Sequence, residues 1–165
     1  MPIVYRLAKK KYPVYDGAGA AAVGGRWNSP GRTIIYATEH YATTILETLV
    51  RAGRLKLPGA HHAAPIFIPD DARVERFDPA ANPGWDAAGS PVAREFGDGW
   101  FDARRTPVLL VPSVPGQPVE WNVLINPLHA EAGRIRPLDS FDIVWDARLF
   151  GPAAGTVSLT PPALS

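Results

Sequence analysis

At 165 residues, with 17 basic and 16 acidic side chains for a net charge of +1, the chain is sized for one domain and carries no charge block that would make nucleic acid or an anionic membrane its default partner. Its 46% apolar content is enough to bury a real core, yet no apolar run approaches the ~20 residues needed to span a bilayer. The absence of cysteine excludes disulfides, thiolate metal sites and a cysteine nucleophile and suits a cytoplasmic protein, while 18 prolines and 15 glycines point to short elements joined by many turns.

Ile3 to Leu7 reads as a short strand, and the start, Met1 to Arg6, lacks the long apolar stretch of a signal peptide. Lys9-Lys10-Lys11 reads as a solvated loop, and the glycine- and alanine-rich Asp16 to Val23 as a flexible lead into Gly24-Gly25. Thr33 to Ala37 is an apolar strand. Thr38 then suits a helix N-cap, because its hydroxyl can accept a free backbone N–H, and Glu39 suits the positive end of the helix dipole. Ala42, Ile45, Leu46, Leu49 and Val50 recur at helical spacing as one apolar stripe, with Glu47 roughly opposite its centre, and Arg51 and Gly53 end the helix.

Ala64 to Ile68 and Val74 to Phe77 read as strands, and Asn82 to Trp85 as a loop. Ser90-Pro91 opens a second helix running to about Ala103, frayed near Gly97 and Gly99. Pro107 to Pro112 is an apolar strand suited to the sheet centre, and it pairs across the Gly116-Gln117 turn with a strand from Glu120 to Ile125. Asn126-Pro127 begins a short helical turn, Ile143 to Leu149 reads as a closing strand, and the chain from Gly151 on reads as a loose tail. The pattern is α+β, a single domain over 1–150 with a mixed, mainly antiparallel sheet and a few helices, and a tail over 151–165.

Three consecutive elements carry groups that suit one ligand. Arg26 follows two glycines, which allow a tight turn and close backbone approach, and its guanidinium can grip phosphate oxygens through two parallel N–H bonds. Tyr36 closes an apolar run and can stack on a flat ring. Glu47 sits mid-helix, where a carboxylate can hold a ribose hydroxyl and stabilise an oxocarbenium-like centre. Phosphate, a flat ring and a bond that breaks with build-up of positive charge together describe NAD. Each residue also has an ordinary reading, as a surface arginine, a half-buried strand tyrosine and a solvated glutamate.

Ser113 at a strand end can reach a ligand phosphate or amide, or is an ordinary turn serine, and with no base nearby in sequence it is no nucleophile. Asn122 and Asn126 either cap the turn at Pro127 or line the cleft. Arg6 and Arg32 are further candidates for phosphate contact. His40, His61, His62 and His129 form no metal-ligand spacing, so no metal is expected. The five tryptophans read as core or interface residues.

The ordered set Gly25-Arg26-Trp27-Asn28, Ile35-Tyr36-Ala37, Ala42 with Glu47, Val111-Pro112-Ser113 and Asn122 to His129 resembles the RES domain, the toxin half of a bacterial toxin–antitoxin pair. The likeness covers roughly Tyr5 to Leu149, and the arginine, glutamate and serine that name the family fall at Arg26, Glu47 and Ser113. It implies an ADP-ribosyltransferase-like fold, NAD as substrate, no metal, and a helix-turn-helix antitoxin as partner. The leading expectation is a toxin that cleaves the nicotinamide–ribose bond by hydrolysis or phosphorolysis. Arg26 would bind the diphosphate, Tyr36 would stack on nicotinamide or its ribose, Glu47 would stabilise the ribosyl cation, and Ser113, Asn122 and Arg6 would help hold the ligand. The rivals are transfer of ADP-ribose to a protein and a non-catalytic NAD-binding module. A ribonuclease fits poorly, since the chain is near neutral with no basic–aromatic face.

Overall fold

The structure, a computed structural model, describes residues 3–53 and 59–150. Its strands are β1 (Ile3–Lys9), β2 (Ile35–Thr38), β3 (His61–Phe67), β4 (Val74–Arg76), β5 (Val108–Pro112), β6 (Trp121–Ile125), β7 (Arg136–Pro137) and β8 (Phe141–Asp142), and its helices α1 (Ala18–Val23), α2 (Tyr41–Ala52) and α3 (Pro91–Asp102). Among the described residues these strands make one eight-stranded sheet in the order β4-β5-β6-β2-β1-β3-β7, with β8 also on β3. Every pair is antiparallel except β4 with β5. The α+β class with a mixed, mainly antiparallel sheet is therefore as expected. The tail expected from 151 on lies outside the described residues.

Alternation along the strands sorts the core into two layers, because successive side chains point to opposite faces. Val4, Ile35, Ala37, Ile66, Val108, Leu110, Val123 and Ile125 fill one face. Leu109, Val111 and Leu124 fill the other, beneath Trp27, Phe77, Trp85 and the α3 residues Ala93, Trp100 and Phe101. The registers Tyr36↔Leu124, Thr38↔Asn122 and Val111↔Asn122 put Tyr36, Thr38 and Asn122 on this second face. β5 is buried at all five positions although it lies next to the edge strand β4 rather than at the sheet centre. Cover on both faces, not central position, explains its unbroken apolar run.

Several local expectations are corrected. Asp16 to Val23 is not a loose lead: Asp16 Oδ1 accepts the Ala18 N–H at 2.7 Å, and alanines carry the short helix α1. α2 begins at Tyr41, not after Thr38. Thr38 still pairs with Asn122, the Glu39 N–H donates to the Trp121 carbonyl at 3.3 Å, and neither residue enters the helix. The apolar stripe of α2 is also not its buried face: Thr43 and Thr44 are buried, while Leu46 and Val50 are 39% and 61% exposed. Hydrogen bonds from the Thr43 hydroxyl to Glu120 and from the Thr44 hydroxyl to the Tyr5 carbonyl make that burial tolerable.

Ser90 precedes α3 as expected, but its backbone is left-handed (φ 34°) and its hydroxyl donates to the Trp85 carbonyl instead of capping the helix. α3 runs unbroken through Gly97 and Gly99. Ile143 to Leu149 is not a strand. Pairing stops at Asp142, Val144 is 92% exposed, and Asp146 accepts the Arg148 N–H to start a 3-10 turn at Ala147–Leu149.

Candidate active site

Hydroxyl groups fasten the start of α2 to the sheet. The Thr38 hydroxyl donates to the His40 carbonyl at 2.7 Å and meets the Thr44 hydroxyl, which reaches the Tyr5 carbonyl at 3.3 Å. Next to Thr44, Thr43 donates to Glu120 Oε2 at 2.5 Å, and His40 Nδ1 meets the same oxygen at 2.8 Å. The Thr43 bond, then His40, hold the Glu120 carboxyl below the usual glutamate range. Glu47 follows Thr43 by four residues, so the same side of α2 carries it over the second sheet face.

There Glu47 Oε1 accepts from Ser113 Oγ at 2.8 Å and from Asn122 Nδ2 at 2.7 Å. Ser113 is fully buried and its Oγ also accepts the Gly116 N–H at 3.2 Å. The serine thus orients a carboxylate and does not reach outward as a ligand contact. Glu47 Oε2 has no hydrogen-bond partner among the described residues, and Asn122 Oδ1 is buried with none. A flipped amide would set two acceptors against each other at Oε1, so the orphaned atom is an acceptor. The oxygen of Glu47 that Ser113 and Asn122 leave unbonded is an acceptor that a sugar hydroxyl can donate to.

The Arg26 loop is built around Tyr36. The Tyr36 hydroxyl donates to Asn28 Oδ1 at 2.7 Å and accepts the Trp27 N–H at 3.2 Å. Burial pushes its pKa well up, so it stays a neutral donor. Asn28, fully buried, donates from Nδ2 to the carbonyls of Ala20 and Ser29, each at 2.9 Å. Gly25 is required by contact: a Cβ there would lie 2.6 Å from the Tyr36 hydroxyl oxygen. Arg26 then reaches the carbonyls of Trp85 and Ala87 through Nη1 at 3.3 and 3.2 Å. Tyr36 therefore shapes the arginine loop with its hydroxyl, leaving its ring on the Glu47 face of the sheet. Tyr36→Phe leaves a buried Asn28 oxygen without its donor, and a loss of about 1–3 kcal/mol is expected in urea unfolding, together with weaker ligand binding.

Arg6 is corrected. Alternation puts it on the Val4 side of β1, and it donates to the carbonyls of Val14 at 2.6 Å and of Tyr36 and Asp16 at 2.7 Å. Burial first, then the nearby Arg51 charge, push its pKa down to about 10. It ties the 14–16 loop to β2 on the sheet face opposite that of Tyr36 and Asn122. Arg32 is also engaged, in a two-bond pairing with Asp102 at 2.9 and 2.5 Å. Asn126 caps: its Oδ1 accepts the Leu128 N–H at 3.0 Å and its Nδ2 donates to the Phe101 carbonyl at 3.0 Å, away from Glu47. Glu120, His40, Thr43 and Asp98, which accepts from Ser29 N and Oγ at 2.8 and 2.6 Å, were not singled out from sequence. No local spacing links residues that far apart.

Among the described residues no cluster of histidine and carboxylate side chains could hold a metal ion, and no helix is long and apolar enough to cross a membrane.

The chain is similar to known proteins in both sequence and fold. The RES domain family matches residues 3–146. A "Prs ADP-ribosylating toxin" of Sphingobium sp. (strain YBL2) is 40% identical over 142 residues, covering 84% of this chain and 88% of that protein. A "Toxin Res" of Photorhabdus laumondii is 32% identical over 152 residues, covering 89% and 96%. In fold, the chain is similar to a chain of the M. tuberculosis MbcT-MbcA toxin–antitoxin complex, with a TM-score of 0.69, 22% identity, and coverage of 86% of this chain and 84% of that one.

Proposed function

The chain belongs to the RES domain family, and from that premise we propose that it is the toxin of a toxin–antitoxin pair that degrades NAD by cleaving the nicotinamide–ribose bond. The observation that carries the reading is the Glu47 carboxylate, held at one oxygen by Ser113 and Asn122 and without a hydrogen-bond partner at the other among the described residues. That second oxygen suits a hydroxyl of the ribose.

The carbon–nitrogen bond breaks with its electron pair passing to the nicotinamide ring, which leaves neutral. The positive charge moves to the ribose carbon and ring oxygen. A carboxylate that already sits in place stabilises that charge without reorganising during the step. Water or phosphate then bonds to the ribose carbon; in hydrolysis the water's proton passes to solvent. The Tyr36 ring lines the same sheet face, and Arg26 takes phosphate at the edge of its loop.

The test is NAD concentration over time with purified protein, with and without phosphate. Loss of NAD with release of nicotinamide is expected, and dependence on phosphate names the acceptor. A folded sample that leaves NAD intact in both buffers, and also in the presence of cell extract, overturns the reading.

A second reading is favoured by the name of the Sphingobium relative: transfer of ADP-ribose to a protein. Intact-mass analysis of extract proteins separates it, since transfer adds one ADP-ribose to a discrete target. For the partner, the solved complex of the M. tuberculosis protein supports an antitoxin that binds this fold. We take that antitoxin to be a helix-turn-helix protein acting in the cytoplasm.

A further inference from the structure

The arginines divide sharply by partner. Arg32, Arg73, Arg105, Arg134 and Arg148 each pair with a carboxylate. Arg76 and Arg136 lie over the rings of Trp121 and Phe67, and Arg6 is bonded to three carbonyls. Arg51 and Arg94 have no carboxylate and no carbonyl partner among the described residues, and Arg26 touches only carbonyls, at 3.2 Å or beyond. Arg104 is unpartnered too, but it follows the far end of α3.

Arg26, Arg51 and Arg94 stand on three segments beside Tyr36: the loop its hydroxyl holds, α2 and α3. Arg51 follows Glu47 by four residues, one turn along the same side of α2. Arg94 precedes Asp98 by four residues on α3, and Asp98 bonds Ser29 in the Arg26 loop, so Arg94 lies on the loop side of that helix. Both arginines act electrostatically on the Tyr36 hydroxyl, with Asp98 acting in the opposite sense.

Arg94 lies early in α3, whose first turn holds no acidic residue, while Arg51 lies in the last turn of α2, where the helix dipole suits a cation. Arg51 also feels the like charge of Arg6, and the carboxylates Asp98 and Glu47 are engaged elsewhere. Asp98 is already bonded to Ser29 and lies 3.4 Å from Arg32, and Glu47 is bonded to Ser113 and Asn122.

We propose that Arg51 and Arg94, together with Arg26, bind the diphosphate of a dinucleotide whose ribose rests on Glu47. This rests on the NAD reading and extends it by naming the residues that select a phosphorylated substrate. α2 then contributes both halves of the site, Glu47 to the ribose and Arg51 to the phosphates. α3 closes the other side through Arg94. Guanidinium groups suit this task, since each can give two parallel N–H bonds to phosphate oxygens.

The experiment compares NAD with nicotinamide riboside, which has the same scissile bond and no phosphate, on wild type, Arg51→Ala, Arg94→Ala and the double variant. Binding of inorganic pyrophosphate by calorimetry is measured in parallel. Expected is a fall of about tenfold per arginine in the ratio of kcat/KM for NAD to that for nicotinamide riboside. Pyrophosphate binding should be lost in the double variant, and lysine at either position should restore part of both. An unchanged ratio with unchanged pyrophosphate binding overturns the proposal, as does an equal loss on both substrates, which marks a structural role. If wild type binds pyrophosphate through these arginines yet leaves NAD intact, the anion site stands and the NAD reading falls. If NAD is cleaved and the variants match wild type, the NAD reading stands and the clamp falls.

Discussion

Glu47→Gln yields a folded protein whose rate of NAD loss falls about 10²–10³-fold, the scale of removing one preorganised electrostatic contact from a transition state. Folding survives because the substitution keeps an oxygen where Ser113 and Asn122 donate, 2.8 and 2.7 Å from the present one. Only the negative charge is lost, and in the proposed reaction that charge opposes the developing positive ribose. The measurement is NAD turnover beside a circular dichroism melt, with Ser113→Ala as a companion. Ser113→Ala removes one donor and leaves Glu47 charged but less firmly held, so a smaller loss than that of Glu47→Gln is expected. A folded Glu47→Gln protein with wild-type turnover would remove the residue from the chemistry.

The second large effect is on stability. Gly97→Ala should cost about 3 kcal/mol or more, or prevent folding, because the new methyl has no room. A Cβ at Gly97 would fall inside the Trp27 carbonyl, a backbone group that cannot swing aside. Trp27 is itself locked, 2% exposed, with its ring 4.7 Å from Phe77 edge-on and 6.0 Å from Trp85 in a stack. α3 or the Arg26 loop would therefore have to move, so activity should fall with stability. Gly99→Ala, two residues on in the same helix, meets nothing within 4 Å. It should be neutral or stabilise by about 0.5–1 kcal/mol, as alanine does in a helix. Urea unfolding of the two variants side by side checks the pair, and similar midpoints would show that close approach at Gly97 is not what holds the loop.

The contrast bears on what glycine does in each place. Gly97 and Gly25 are space requirements, set by Trp27 and by the Tyr36 hydroxyl, and neither needs an unusual backbone. Gly24 and Gly53 have φ of 74° and 82° and serve as helix stops, which is the role legible from sequence at Gly53.

Much of the framework follows from the sequence by itself. Short β-branched runs bounded by proline and glycine place β1, β3, β5 and β6, and the Gly116 turn pairs the last two. Arg26, Tyr36 and Glu47 could be grouped because they stand on consecutive elements, where chain connectivity limits how far apart they can go. Their residue types, a permanent cation, an aromatic ring and a carboxylate, indicate the chemistry before any fold is known.

Only the tertiary structure decided which polar atoms meet. Ser113 and Asn122 reach Glu47 across 66 and 75 residues, through the β5–β6 hairpin and the β2–β6 register. Periodicity misassigned the buried side of α2, since it ranks faces by apolar content and cannot know that Thr43 and Thr44 find acceptors that make their burial tolerable. Arg6 and Arg51 look alike as letters. One lies among three carbonyls and the other meets none among the described residues, because a hydrogen bond depends on atoms within about 3 Å and those are supplied by distant chain. Composition and spacing determined the elements and the kind of chemistry; long-range contacts decided which residue performs it and which ones hold it in place.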